Sequence, residues 1–102
     1  MRARRWSSLL LAGVLCLSLA ALGRADPVDE GRGLYQELCE KCHGKDMANP
    51  GLAFDLRKFP ANDAQRFSNS VLNGKGPAMP AWKEQLTPQD VDALWAYVKS
   101  GG

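Results

Sequence analysis

The chain is poor in the residues that most site chemistry draws on. Its 102 residues include one histidine, His43, and three cysteines, Cys16, Cys39 and Cys42. With no second histidine there is no imidazole left over for acid–base work beside a metal-bound one. Cys16 lies in an N-terminal segment that reads as removable, and Cys39 and Cys42 then lack the second ligand pair a zinc ribbon needs. The longest apolar run, Leu9 to Leu22, has 14 residues, against the ~20 needed to span a bilayer. No segment alternates as a strand does, so the βαβ setting of a thioredoxin-like Cys-x-x-Cys is missing. Internal repeats and low-complexity runs are absent as well.

The N-terminus has the make-up of an export signal. Arg2, Arg4 and Arg5 form a basic start, Leu9 to Leu22 an apolar middle, and Gly23-Arg24-Ala25 a small-residue cleavage site before Asp26. Arg4-Arg5 resembles a twin-arginine pair, but two arginines are also what any basic n-region looks like, and general secretion is the expected route. Leu15 is too bulky for a lipidation box at Cys16. We expect residues 1–25 to be cleaved and residues 26–102 to be a soluble, monomeric periplasmic domain.

Cleavage changes the charge. The whole chain carries 13 basic and 11 acidic residues, whereas residues 26–102 keep nine basic against all 11 acidic, a net −2. That balance points to neither nucleic acid nor an anionic membrane as partner. Seventy-seven residues make one small domain with a thin core, which a staple must supplement.

The expected fold class is all-α, with three main helices. Gly31, Leu34, Tyr35, Leu38 and Cys42 give one apolar face to a helix over Asp29 to about Cys39. Gly31 and Gly33 cost that helix about 1 kcal/mol each, so close approach of another helix is the natural reason for them. Breakers at Gly44, Asn49, Pro50 and Gly51 predict an irregular stretch to about Pro60. Asn62 is the expected cap of a second helix ending at Asn73, with Phe67, Val71 and Leu72 inward and Gly74 as a left-handed C-cap. Thr87, Pro88 and Asp90 announce the last helix, with Val91, Leu94, Trp95 and Val98 as its stripe and Tyr97 at its flank.

Cys39-Glu40-Lys41-Cys42-His43 is the most specific pattern in the chain. Two thiols one helical turn apart, followed directly by histidine, form the attachment pattern for a c-type haem. The thiols make thioethers to the two vinyl groups, and His43 offers an axial nitrogen to the iron. A covalent haem also supplies the apolar plate that a 77-residue core lacks, so the haem-free chain should be largely unfolded.

Met79 is the second candidate ligand. It lies in Gly74-Lys75-Gly76-Pro77-Ala78-Met79-Pro80-Ala81-Trp82, 36 residues after His43, far enough to pass to the other haem face. A thioether ligand favours ferrous iron and raises the potential. Met47 follows His43 by only four residues and should fill core space. Lys75 would first have to lose a proton. Arg57, Trp82 and Trp95 are candidates, by residue type, for holding the haem carboxylates.

These residues carry a family resemblance along residues 26–102. Cys39, Cys42 and His43 resemble the haem-binding motif of class I c-type cytochromes, and Met79-Pro80 their distal loop. Gly31 and Tyr35 are similar to the family's N-terminal helix signature, and Leu94 and Tyr97 to its C-terminal helix. The resemblance implies a small class I cytochrome c fold, with terminal helices crossing over one covalent haem c ligated by His43 and Met79. The family often follows its haem motif with Pro-x-Leu, whose proline carbonyl accepts from the axial histidine. Here Pro50-Gly51-Leu52 and Phe54-Asp55-Leu56 both compete for that place.

A narrower resemblance runs through Asp55 to Pro60, Arg66-Phe67 and Met79 to Trp82. It is to small periplasmic cytochromes that accept electrons from quinoprotein alcohol dehydrogenases. The implied function is non-enzymatic: one-electron transfer from a periplasmic dehydrogenase to an oxidase or other respiratory acceptor, each docking transiently at the haem edge. The alternatives are a haem subunit of a larger oxidoreductase and a peroxidase or gas-binding protein with an open distal site.

Overall fold

The computed structural model describes residues 26–102. The expected export signal and Cys16 lie outside the described residues. Four helices follow in chain order: α1 (Pro27–Leu38), α2 (Glu40–His43), α3 (Ala64–Asn73) and α4 (Pro88–Ser100). Two 3-10 turns, Lys45–Met47 and Leu56–Lys58, lie in the irregular stretch between α2 and α3. Among the described residues there is no strand, only an isolated bridge between Lys75 and Met79. The all-α expectation therefore holds.

Helix α1 begins two residues earlier than the periodicity suggests. Asp26 caps it by accepting from the Val28 N–H at 2.8 Å, and Pro27 takes the first helical position. At its other end the backbone kinks at Cys39 (φ −117°), so the haem motif occupies a separate turn, α2. The cap of α3 is Asp63, whose carboxylate accepts from the Arg66 N–H at 3.1 Å, and not Asn62. Gly74 ends α3 with a positive φ of 77°, but ψ is 176°, which is not the expected left-handed helical cap. The α4 signals hold in full: Thr87 and Asp90 form a reciprocal capping box, and Gly101 closes the helix in the left-handed conformation.

The core centres on α1 packed against α4. Tyr35, Tyr97, Met47 and Leu94 are its deepest members, with Val91 and Val98 beside them and Phe67, Val71 and Leu86 reaching in from α3 and the loop after it. Tyr97 is at the middle of the α4 face, not at its flank, whereas Trp95 is only half-buried. Gly31 is buried at the crossing. A Cβ there would strike the Ala93 carbonyl and come within 2.9 Å of Tyr97 Cβ. Gly33 has nothing within 4 Å and is exposed, so the close-approach argument explains Gly31 alone.

Met47 is fully buried in the core, as a space-filling methionine should be. It and Asp46 carry positive φ values of 64° and 53°, a conformation that costs a non-glycine residue about 1–2 kcal/mol. Burial of Met47 and the contacts of the preceding turn hold the chain there.

Candidate functional site

Helix geometry builds the Cys39–His43 unit. Cys42 and His43 both donate backbone hydrogen bonds to the Cys39 carbonyl, at 3.2 and 2.9 Å, so the three side chains project from one tight turn. Gly44 stops that turn with φ 94°, and a Cβ on it would collide with the Ala48 carbonyl. The Tyr35 hydroxyl then donates to the Gly44 carbonyl at 2.5 Å from inside the core. A residue of α1 thereby fixes the backbone next to His43. Burial, first among its causes, pushes the Tyr35 hydroxyl up to about 12.

The two thiols differ. Cys39 is partly buried against the core, and Cys42 is exposed; they are not bonded to one another. Burial, reinforced by neighbouring Cys42, pushes the Cys39 thiol up to about 11.

His43 is half-buried, and its Nδ1 lies 3.1 Å from the Phe54 carbonyl oxygen. With Nδ1–H donating to that carbonyl, Nε2 keeps its lone pair for a metal. The choice between Pro50 and Phe54 is thereby decided for Phe54. A backbone carbonyl belongs to any residue, so the bond survives without proline. Asn49 positions this strand of chain, donating to the Ala53 carbonyl at 2.7 Å while accepting from the Gly51 N–H at 2.8 Å.

Met79 is held by its own loop. The Lys75 N–H donates to the Met79 carbonyl at 3.0 Å, and Met79 N–H returns a bond of 3.4 Å to Lys75. A Cβ on Gly74 would come within 2.6 Å of the Met79 carbonyl oxygen, so the loop closes only over glycine. Beyond it, Trp82 and Lys83 donate backbone bonds to the Val71 and Leu72 carbonyls, which seats the segment on α3.

These pieces enclose one cavity of about 310 Å³. His43 and Met79 both line it, so the predicted nitrogen and sulfur donors share a single chamber. The walls are apolar: Phe54, Leu56, Phe59, Phe67 and Val71. Arg66, Ser70 and Lys75 supply the polar lining, and the same three side chains border the adjoining surface depression. An apolar slot holding one imidazole and one thioether, with cations along one edge, fits a flat porphyrin that carries carboxylates.

The three residues chosen for the haem carboxylates lie outside the lining. The Arg57 guanidinium donates instead to the Asp46 carbonyl at 2.7 Å. Trp95 stacks behind the wall on Phe59 and Phe67, at 5.7 and 5.0 Å between ring centroids. Trp82 is half-buried in the packing around the core. Arg66 is the residue that sequence reasoning passed over. Its signal was its place in the first turn of a helix, where a cation opposes the dipole and so asks for an anion.

Comparison with known proteins agrees with this geometry. The family described as cytochrome c oxidase, cbb3-type, subunit III matches residues 26–98. Cytochrome c6 of Gloeothece citriformis is 33% identical over 96 residues, covering 89% of this chain and 84% of that protein. The quinohemoprotein alcohol dehydrogenase ADH IIB of Pseudomonas putida is 34% identical over 77 residues, 74% of this chain, but the match spans only 11% of the dehydrogenase. Subunit FixP of the cbb3-type cytochrome c oxidase of Azorhizobium caulinodans is 28% identical over 95 residues, 87% of this chain and 32% of the subunit. No solved structure matches the chain. Its helical fold and these relatives place the chain among the class I monohaem c-type cytochromes, electron-carrying proteins with a covalently bound haem.

Proposed function

We propose that this chain is a periplasmic one-electron carrier, exported by residues 1–25 and active as residues 26–102. Cys39 and Cys42 hold the haem through thioethers, and His43 and Met79 are its axial ligands. The observation that carries this reading is the meeting of His43 and Met79 in one apolar cavity. The bound haem supplies a ferric–ferrous couple. The chain's own residues supply the rest. The Phe54 carbonyl holds the His43 ring and makes it a stronger donor. The Lys75–Met79 bridge restrains a weak neutral ligand, and the phenylalanine walls keep water out. Arg66 and Lys75 face the haem carboxylates.

With His43 and Met79 both as donors the iron would keep no open position, and the lining offers no carboxylate or second histidine for acid–base work. The donor we favour is a quinoprotein alcohol dehydrogenase and the acceptor a respiratory oxidase, in keeping with the names of two relatives. Those relatives also favour a second reading, a haem subunit resident in a larger oxidoreductase, since the matched domain is a small part of each. Purification of a monomer free of other chains decides for the carrier.

The test of ligation is the ferric optical spectrum. A weak red absorption band from an iron–methionine bond should be present in the wild type and absent in Met79→Ala. A wild type without that band, and with iron that binds cyanide or carbon monoxide freely, would replace the carrier by a catalyst or sensor.

A further inference from the structure

We propose that Asn49 is a positioning residue for the axial histidine and thereby sets the reduction potential of the bound haem. It does not line the cavity; it acts by holding the Phe54 carbonyl against the His43 ring. The inference rests on the reading of His43 as an axial ligand. Residues 49–54 make no backbone–backbone hydrogen bond among the described residues. Side chains hold this stretch instead. One bond joins His43 Nδ1 to the Phe54 carbonyl, and the others belong to Asn49. Its Nδ2 donates to the Ala53 carbonyl at 2.7 Å, and its Oδ1 accepts from the Gly51 N–H at 2.8 Å. Gly51 reverses the chain with φ 92°, and Leu52 after it is 76% exposed, so packing restrains the tip little. The stem is crowded, because a Cβ on Gly44 would strike the Ala48 carbonyl and lie 3.0 Å from Pro50 Cδ. Asn49 therefore staples the loose end of the loop to the turn that carries His43.

The Ala53 carbonyl shares a peptide plane with the Phe54 N–H. Once Asn49 clamps that plane, only φ and ψ of Phe54 separate it from the carbonyl that His43 uses. A proline at this position would fix φ unaided. Phenylalanine leaves φ free, and its ring is 51% exposed, so packing holds it only in part. In exchange the ring lines the cavity and meets Phe59 edge-on at 6.2 Å between centroids. Asn49 supplies, through a side-chain bond, the restraint that the chain gives up at position 54. The consequence is electronic. A held Nδ1–H bond makes the imidazole a more basic ligand, and a more basic ligand favours ferric over ferrous iron and lowers the potential.

Asn49→Ala changes no charge, and the reduction potential of the holoprotein reads its effect. A weakened Nδ1 bond should shift the ferric–ferrous equilibrium about threefold toward ferrous iron, ~30 mV upward for a one-electron couple. Mere loosening of the loop acts the other way. It admits water, favours the more highly charged ferric state and lowers the potential. A fall, or no change, would overturn the proposal. Asn49→Ser keeps an oxygen for the Gly51 N–H, and so the turn, but is too short to reach Ala53. It should shift the potential as alanine does; a wild-type potential would refute the Ala53 clamp. The same change is then made in a Phe54→Pro background. The Phe54 N–H donates no hydrogen bond among the described residues and its φ is negative, so proline costs no bond there. With proline holding the carbonyl, Asn49→Ala should leave the potential nearly unchanged; equal shifts in both backgrounds would overturn the proposal. By NMR of the ferrous holoprotein, the His43 Nδ1–H should exchange with deuterium about fivefold faster in Asn49→Ala. Unchanged exchange would also refute the role. A wild-type spectrum without an iron-bound imidazole would instead bring down the ligand reading itself.

Discussion

Gly31 and Gly33 stand two residues apart on α1, and alanine at the two positions should have opposite effects. Helix propensity alone favours alanine by about 1 kcal/mol at either place. At Gly33 nothing lies within 4 Å of the added methyl. Gly33→Ala should therefore stabilise the domain by about 0.5–1 kcal/mol. At Gly31 the methyl meets backbone: the Ala93 carbonyl carbon would lie 2.6 Å away and Tyr97 Cβ 2.9 Å. Neither atom can turn aside as a side-chain end would, so the helices must separate by roughly 1 Å to restore ordinary contact. Overpacking of this kind costs about 1–3 kcal/mol, and here it strains the interface that buries Tyr35, Leu94 and Tyr97. With backbone this close the cost is at the upper end, about 3 kcal/mol, so the net expectation for Gly31→Ala is a loss of about 2 kcal/mol after the propensity gain of about 1 kcal/mol. For a domain of this size each kcal/mol moves the melting temperature by about 4–8 °C. Thermal and denaturant unfolding of the two haem-loaded variants, followed by far-ultraviolet circular dichroism, should bracket the wild type. A Gly31→Ala protein as stable as the wild type would refute the crossing.

Tyr35→Phe should cost about 1–2 kcal/mol by leaving the buried Gly44 carbonyl without its donor. The same residue sets an alkaline limit: burial raises its folded pKa from 10.0 to about 12, so its contribution is intact below pH 10 and is lost as pH climbs from there toward 12. Denaturant midpoints of the holoprotein should fall across that window and fall less in Tyr35→Phe. Tyr97, also raised by burial, keeps part of the slope in the variant. In the haem-free chain, iodoacetamide should modify Cys39 and Cys42 at equal rates in buffer and in urea. Selective protection of Cys39 in buffer would show that the domain folds without its cofactor.

What was legible in the sequence were the features specified by neighbours in the chain. Thr87, Pro88 and Asp90 specify their helix start locally, and the spacing of Cys39, Cys42 and His43 fixes the attachment turn within five residues. Gly31 was readable as a close approach, but the same logic misled at Gly33, because composition does not say which face of a helix meets another. The start of α1 was read late because Asp26 and Pro27 are cap and first-turn residues that add nothing to an apolar stripe. Asn62 and Asp63 are both good caps, and only the hydrogen bond to the Arg66 N–H separates them. The histidine's partner was undecidable from residue type, since any residue offers a carbonyl and only the path of the loop brings the Phe54 carbonyl to Nδ1. The candidates for the haem carboxylates lie outside the cavity lining for a related reason. Arg57 is near the site in sequence, but its guanidinium is engaged by the Asp46 carbonyl, whereas Arg66 arrives from α3.

The arrangement of thiol, cavity and core also argues for an order of events. A cavity of about 310 Å³ lined by phenylalanine, leucine and valine is expensive to maintain without its occupant. Apolar walls left facing water weigh heavily against a small domain whose whole stability is ~5–15 kcal/mol. The haem-free chain is therefore expected to be largely unfolded. In the folded arrangement, moreover, Cys39 holds its proton up to about 11, so almost no thiolate would be present at neutral pH to take part in bond formation. Unfolded, the same thiol returns to its ordinary range and both cysteines become accessible. Attachment is thus favoured before folding. The thioethers then commit the cavity to its occupant, and closure of α1 on α4 completes the core around Tyr35 and Tyr97.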